Sequence, residues 1–412
     1  MPISKGKIDQ PKLLSTNKVS ISKIGVLDQW LLTEDSVFLA QGTLLTEPVK
    51  EISAWYNAVV PGTVLTSLVK QGKYPDPYMG LNNMSIPESL ARKHWWYHTS
   101  FEVDAKPEKK FWLEFDGINY KAEVWLNGKY IGAMNGAFVR GRFDISSVVH
   151  QAKPNQVYVK IHPPHNPGIP HEQSYKAGMG PNGGQLCLDG PTFISSEGWD
   201  WVPGIRDRNI GIWQPVRIVV EGLVSIQDPQ IITDLPLPDT TKASITIKTK
   251  VMNHATVAKP TEVVAKFSHV DVKQSVILQP GETKEIIFDP TTYPALQWDK
   301  PALWWPNGYG AQALHHVTLQ VLTDHDISDQ QQVRFGIREY SYELAATFPD
   351  GRDNRFEYSP TNVKSSVPLL DNTKRKDVGD RIFIPSIRPG VPVGQLKKME
   401  NFQPFLVMKV NG

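Results

Sequence analysis

Residues 111–129 read FWLEFDGINYKAEVWLNGK. Phe111, Leu113 and Phe115 alternate with Trp112 and Glu114, and Ala122, Val124 and Leu126 alternate with Glu123 and Trp125. A period of two puts one set on a core and the other toward solvent, which is the signature of half-buried strands, not of a helix. Asp116-Gly117 separates the two strands as a turn. Asn127-Gly128 closes the second as a two-residue hairpin, with residues 129–133 as the return strand.

The same chemistry extends in both directions. Val157, Val159 and Ile161 form a further strand, stopped by the proline-rich stretch 162–170. Residues 61–72 (PGTVLTSLVKQG) are the best helical segment, and a short one. After a tail at 1–24, this density of short strands predicts a jelly-roll sandwich over residues 25–222. Beyond Gly222, Ile245 with Ile247 and the segments 263–267, 276–278, 286–288, 317–322 and 333–335 supply about six or seven strands. They predict an immunoglobulin-like sandwich over 223–340, with the boundary at 215–223. Over 341–402 the alternation fails among a charge cluster at 374–377 and prolines 368, 385, 389 and 392. That stretch reads as an irregular connecting segment, long loops with one or two short strands. Residues 405–410 look like a strand and Asn411-Gly412 like a hairpin turn, so the polypeptide is expected to continue in its parent.

Composition agrees with a mostly β fold. The 412 residues contain 30 Gly, 33 Pro and 12 Trp, which favours turns and aromatic surfaces. The 44 basic and 42 acidic residues leave a net charge of +2, so no strong field points to nucleic acid or an anionic membrane. One cysteine, Cys187, excludes an internal disulfide framework and a site of several thiolates. No stretch of about 18 apolar residues is present to span a membrane. The first 23 residues are polar and carry no apolar run of signal-peptide length, and the compartment is left open.

Chemistry concentrates at Gly198-Trp199-Asp200-Trp201. Sugars stack their apolar faces on aromatic rings while carboxylates accept from their hydroxyls, so Trp199, Asp200 and Trp201 suit a saccharide. Two core tryptophans around a turn aspartate fit the same residues. Trp95-Trp96-Tyr97 and Trp304-Trp305-Pro306 read rather as caps on sandwich cores. His162, His165, His171 and Glu172 match no metal-ligand spacing and read as a solvated loop. The glycine-rich stretch 178–184 follows no clear strand and opens no helix, which makes it a loop and not a phosphate cradle. No cofactor and no metal are expected.

Residues 115–129 (FDGINYKAEVWLNGK), 136–138 (GAF), 143–146 (FDIS) and 211–216 (GIWQPV) resemble the sugar-binding domain of glycoside hydrolase family 2. Residues 76–82 (DPYMGLN) and 198–201 (GWDW) resemble its β-mannosidase and exo-β-glucosaminidase branch more than its β-galactosidases. Residues 303–310 (LWWPNGYG) and 335–338 (FGIR) are similar to the ends of that family's immunoglobulin-like domain. Together these motifs cover roughly residues 25–340. The resemblance implies a jelly roll, an immunoglobulin-like sandwich and then a (β/α)8 barrel bearing two glutamates, one of them after an Asn, for a retaining double displacement. A barrel needs about 250 residues, whereas 72 residues follow Tyr340 and no Asn-Glu dipeptide occurs. The barrel is therefore expected to be absent, with residues 403–412 resembling the entry to it.

The resemblance further implies that Asp200 and Trp201, with Trp199, reach toward the terminal sugar, and that Asp76, Tyr78 and Asn82 stand near it. The reading that follows is the noncatalytic front of a β-mannosidase-like hydrolase. Its partners would be a β-linked mannoside or glucosaminide and a catalytic barrel, as a domain or as a separate polypeptide. A self-sufficient lectin-like module without hydrolase activity is the rival.

Overall fold

The computed structural model describes residues 16–20, 24–104, 109–151, 153–165, 167, 205–268, 270–360, 368–377, 383–390, 395–397 and 406–412. Two compact units divide the chain, Met1–Gly222 and Leu223–Gly412.

In the first unit the alternation at 111–126 becomes two strands. Lys110–Phe115 buries Phe111, Leu113 and Phe115, and Lys121–Leu126 buries Ala122, Val124 and Leu126. The two belong to different sheets. Lys110–Phe115 lies in a four-stranded sheet in the order Gly25–Val26, Val216–Glu221, Lys110–Phe115, Gly141–Asp144. Lys121–Leu126 lies in a seven-stranded sheet in the order Tyr56–Ala58, Trp30–Glu34, Trp95–Asp104, Asn155–His162, Lys121–Leu126, Lys129–Asn135, with Asn17–Ser20 parallel to Trp95–Asp104. Side chains from both sheets meet in one core that includes Trp30, Trp95, Tyr97, Phe101, Leu113, Val124, Val159 and Ile218. Each such large apolar side chain contributes about 1.5–3 kcal/mol on burial.

The hairpin turn has the backbone its residues predict. Asn127 and Gly128 both take positive φ, 52° and 81°, as a type I′ turn requires. A Cβ on Gly128 would stand 2.4 Å from Thr46 Cγ2, so glycine is needed for space as well as for conformation. The Asn127 amide then fastens the turn, donating to Asn155 Oδ1 at 2.8 Å and accepting from the Gln156 N–H at 2.8 Å.

The outer face of the larger sheet is covered by chain between residues 35 and 55. Phe38, Val49 and Trp55 pack on Leu31, Trp96 and Tyr158, and Phe38 stacks on Trp96 with ring centroids 3.9 Å apart. Beside this cluster His98 is 4% exposed, with Nε2 2.9 Å from Gln156 Oε1 and its ring 4.5 Å from that of Tyr158. Burial pushes its pKa down to about 4, against the Gln156 hydrogen bond. Between that value and the ordinary 6.5, the unfolded chain binds the proton that the folded one excludes. Stability therefore falls as pH drops through this window and levels below pH 4, by about 3 kcal/mol from this residue. Urea unfolding at pH 7, 5.5 and 4 should give a steeper pH dependence for the native chain than for His98→Gln.

The second unit begins as two sheets. Val224–Asp234, Lys242–Asn253 and Thr283–Phe288 are neighbours in one, with Gln297–Asp299 beside the start of Lys242–Asn253. Val270–Leu278, Lys259–Phe267, His315–Thr323 and Asp326–Phe335 follow in order in the other. Their shared core holds Ile245, Ile247, Val263, Phe288, Val317 and Leu319. Arg338 lies 4.8 Å over the ring of Trp304, one of the paired tryptophans, and 5.0 Å over Tyr340.

Over 341–402 the structure departs from the expected loops. Tyr340–Thr347, Asp353–Tyr358, Leu370–Asp377, Phe383–Ile387 and Gln395–Lys397 are strands of a six-stranded sheet, completed by Leu406–Val410, which runs antiparallel to Tyr340–Thr347. Charged side chains of three of these strands are paired across strands on one face. Glu343 takes Arg355 and, at 3.2 Å, Lys409, while Glu357 lies 3.4 Å from Lys409. Leu344, Ala346 and Phe356, with Ile387, form a small apolar cluster. Residues 406–410, expected to resemble a barrel entry, form the strand of this sheet that reaches Asn411.

Asn411, at φ 56°, donates its N–H to Glu339 O at 2.8 Å and accepts the Glu339 N–H on Oδ1 at 2.9 Å; its Nδ2 donates to Trp304 O at 3.1 Å. Replacing it with Ala leaves a buried N–H and a carbonyl without these partners and strains a left-handed residue. A loss of about 2 kcal/mol is expected for Asn411→Ala in denaturant unfolding.

Candidate functional site

Of the residues singled out from sequence, Trp199, Asp200 and Trp201 lie outside the described residues, as do Cys187, His171, Glu172 and the glycine-rich stretch 178–184. Asp76, Tyr78 and Asn82 fall together in one tight turn. Asp76 Oδ1 accepts the Tyr78 N–H at 2.9 Å, and Asp76 O accepts the Met79 N–H at 3.2 Å and Asn82 Nδ2 at 3.0 Å. These two side chains thus build the turn, as Asp and Asn commonly do. Tyr78 is what the turn presents, at 82% exposure, flanked by exposed Met79, Leu81 and Met84.

Directly behind the turn are residues that sequence reading missed. Arg206 donates from Nε to Asn83 O at 3.1 Å and from Nη1 to Glu88 Oε1 at 2.6 Å. Arg208 donates from Nη2 to the other oxygen of Glu88 at 2.5 Å, from Nη1 to Ile205 O and from Nε to Pro167 O, both at 2.7 Å. Arg206 is 5% and Arg208 1% exposed. Glu88 opens the 3₁₀ turn Glu88–Arg92, so one carboxylate joins that turn to both arginines. The sequence did carry a signal, an Arg-Asp-Arg triplet at 206–208 enclosed by Ile205, Ile210 and Ile212. Charges between apolar neighbours are buried with partners, or they do not occur.

Arg208 and Asn209 both have positive φ, 53° and 56°, which is uncommon for residues other than glycine. Asn119 holds this elbow by donating Nδ2 to the carbonyls of both residues at 3.0 Å. Gly211 follows, where a Cβ would meet Gly62 O and Thr63 Cα at 2.7 Å. Between them Asp207 is fully buried. Its Oδ2 accepts the Leu65 N–H at 2.6 Å, in the first turn of the helix Val64–Lys70, and its Oδ1 accepts the Asn209 N–H at 2.9 Å. Burial pushes its carboxyl above the ordinary range, opposed by those N–H groups, and together burial and the Asp207 charge push the buried Tyr97 phenol upward.

Two other expectations resolve plainly. Trp95, Trp96 and Tyr97 are buried, as core residues are. His162 is not in a solvated loop; it ends the strand Asn155–His162 half-buried, its ring 4.9 Å from His94 and Nε2 3.4 Å from Glu123. His165 is exposed. No cluster of three or more His, Cys, Asp or Glu among the described residues could hold a metal ion.

The turn, the elbow and the helix start lie in a span that matches a family description. Residues 43–214 match the glycosyl hydrolase 2 galactose-binding domain-like family, and residues 224–338 match glycosyl hydrolases family 2. The chain belongs to glycoside hydrolase family 2. Its relatives within the family are mannosidases and exo-glucosaminidases. A mannosylglycoprotein endo-β-mannosidase of Lilium longiflorum is 34% identical over 76% of this chain and 34% of its own length. An exo-β-D-glucosaminidase of Streptomyces avermitilis is 30% identical over 72% of this chain and 30% of its own. The crystal structure of the Amycolatopsis orientalis exo-chitosanase CsxA superposes with a TM-score of 0.64 at 25% identity, covering 81% of this chain and 36% of that one. The chain thus spans about a third of the length of these family 2 relatives.

Asp207→Ala tests the elbow. It strands the buried Leu65 N–H and the half-buried Asn209 N–H and should cost about 3 kcal/mol in urea unfolding; a cost below about 1 kcal/mol would mean that the carboxylate does not hold helix and elbow together.

Proposed function

We propose that this chain is the scaffold and sugar-binding portion of a β-mannosidase-like glycosidase, one that hydrolyses β-linked mannosides or glucosaminides. The observation that carries the reading is the pairing of two family 2 domain matches with a sequence that contains no Asn-Glu dipeptide. The names of the relatives supply the substrate class, and the double displacement that the resemblance implies needs a pair of carboxylates, one of them after an Asn. A (β/α)8 barrel, as a further domain or a separate polypeptide, would supply them.

The chain's own share is recognition. Trp199 and Trp201 offer ring faces to the apolar side of a pyranose, and Asp200 accepts hydrogen bonds from its hydroxyls. Such an acceptor discriminates epimers because a hydroxyl pointing elsewhere leaves it buried and unpaired. Tyr78 adds a ring and a phenol from the turn at 76–82. None of these groups forms or breaks the glycosidic bond.

The purified chain should therefore release no p-nitrophenol from p-nitrophenyl β-D-mannoside or β-D-glucosaminide. Ligand-observed NMR should show methyl β-D-mannoside or methyl β-D-glucosaminide binding with Kd of about 1 mM, worth about 4 kcal/mol, weakened in Trp201→Ala and Asp200→Ala. Turnover by the chain alone would overturn the noncatalytic assignment. Equal binding by the variants would remove these residues from the subsite and leave a lectin-like surface elsewhere.

A further inference from the structure

We infer that Glu88 and Arg206 are positioning residues for Tyr78; this rests on the proposed saccharide-binding role of the turn at 76–82. The structural reason is how that turn is held. Its internal hydrogen bonds, from the Asp76 and Asn82 groups, fix its shape but do not fix where it stands on the sandwich. Placement comes from its C-terminal side. Asn83, 8% exposed, gives its carbonyl to Arg206 Nε, and Arg206 in turn is held by Glu88 Oε1. The second oxygen of Glu88 is held by Arg208, whose side chain is fully buried and whose backbone Asn119 locks. A chain of charge-assisted contacts therefore runs from the elbow at 205–209 through Glu88 and Arg206 to the residue after Asn82. Such contacts are short and directional, and a guanidinium meets a carboxylate in a fixed plane.

Tyr78 itself is 82% exposed, so core packing does not place its ring. A ring that binds sugar from an exposed turn needs its backbone fixed from below, since displacement by about 1 Å can lose much of the gain from orientation. Glu88 touches no sugar in this scheme. It acts through Arg206 on the turn.

The test uses the 412-residue chain labelled with 3-fluorotyrosine, in which Tyr78→Phe identifies the Tyr78 resonance among the 13 tyrosines. Titration with methyl β-D-mannoside and methyl β-D-glucosaminide should shift that resonance in the native chain. Glu88→Gln keeps the size of the side chain and removes its charge. Arg206→Lys keeps the charge and removes the planar fork, and it decides the matter if Glu88→Gln does not fold. Each should move the ligand-free Tyr78 resonance, leave most of the other tyrosine resonances in place and raise Kd roughly tenfold. A merely structural role would lower the melting temperature and leave Kd and the Tyr78 resonance unchanged, and that result overturns the inference. If neither glycoside shifts Tyr78 in the native chain, the saccharide-binding role of the turn fails first, and the positioning assignment falls with it.

Discussion

Two buried guanidinium groups are the constraint on which the turn at 76–82 and the elbow at 205–209 depend. Arg206 and Arg208 are nearly inaccessible, and they share one carboxylate, Glu88, with carbonyls of Asn83, Ile205 and Pro167 taking further N–H groups. Removing a buried charge's partner is far more costly than removing an exposed one's. The 3₁₀ turn at Glu88–Arg92, the turn at 76–82 and the elbow at 205–209 therefore cannot move independently. The left-handed backbone at Arg208 and Asn209 persists because Asn119 and Asp207 hold it from both sides.

What the sequence made legible follows period. Residues 111–126 alternate because each strand has one buried face, and the structure buries the alternate residues that the pattern marks. The Asn127-Gly128 turn was readable for a different reason, since two successive positive φ values select that dipeptide. The helix Val64–Lys70 falls inside 61–72, with Thr63 Oγ1 accepting the Thr66 N–H at its start.

The sheet at 340–410 was not legible, because its strands are short and their partners lie far along the chain. Glu343, Arg355, Glu357 and Lys409 alternate with Tyr342, Leu344, Phe356, Tyr358 and Met408, but only within short strands, and across strands they neutralise one another. Alternation over so few residues does not say which strand is the neighbour, and the ion pairs that join these strands link residues 12 to 66 apart in sequence. The buried arginines behind the turn at 76–82 were only partly legible. The isoleucines around Arg206-Asp207-Arg208 signal burial, but its partners Glu88, Leu65 and Asn119 are brought to it only by the fold.

A similar contrast divides the residues of the turn at 76–82. Asp76 and Asn82 carry polar groups, and these hydrogen-bond to backbone atoms inside the turn. Tyr78 spends only its backbone N–H there and keeps ring and phenol outward. A motif such as DPYMGLN thus combines residues that shape a loop with one that the loop displays, and the two kinds are inseparable by residue type. Geometry separates them, because a side chain that closes a turn must point inward along the chain while a side chain that meets a ligand must point away from it. On that criterion the turn displays one side chain, Tyr78, and keeps Asp76 and Asn82 for its own shape.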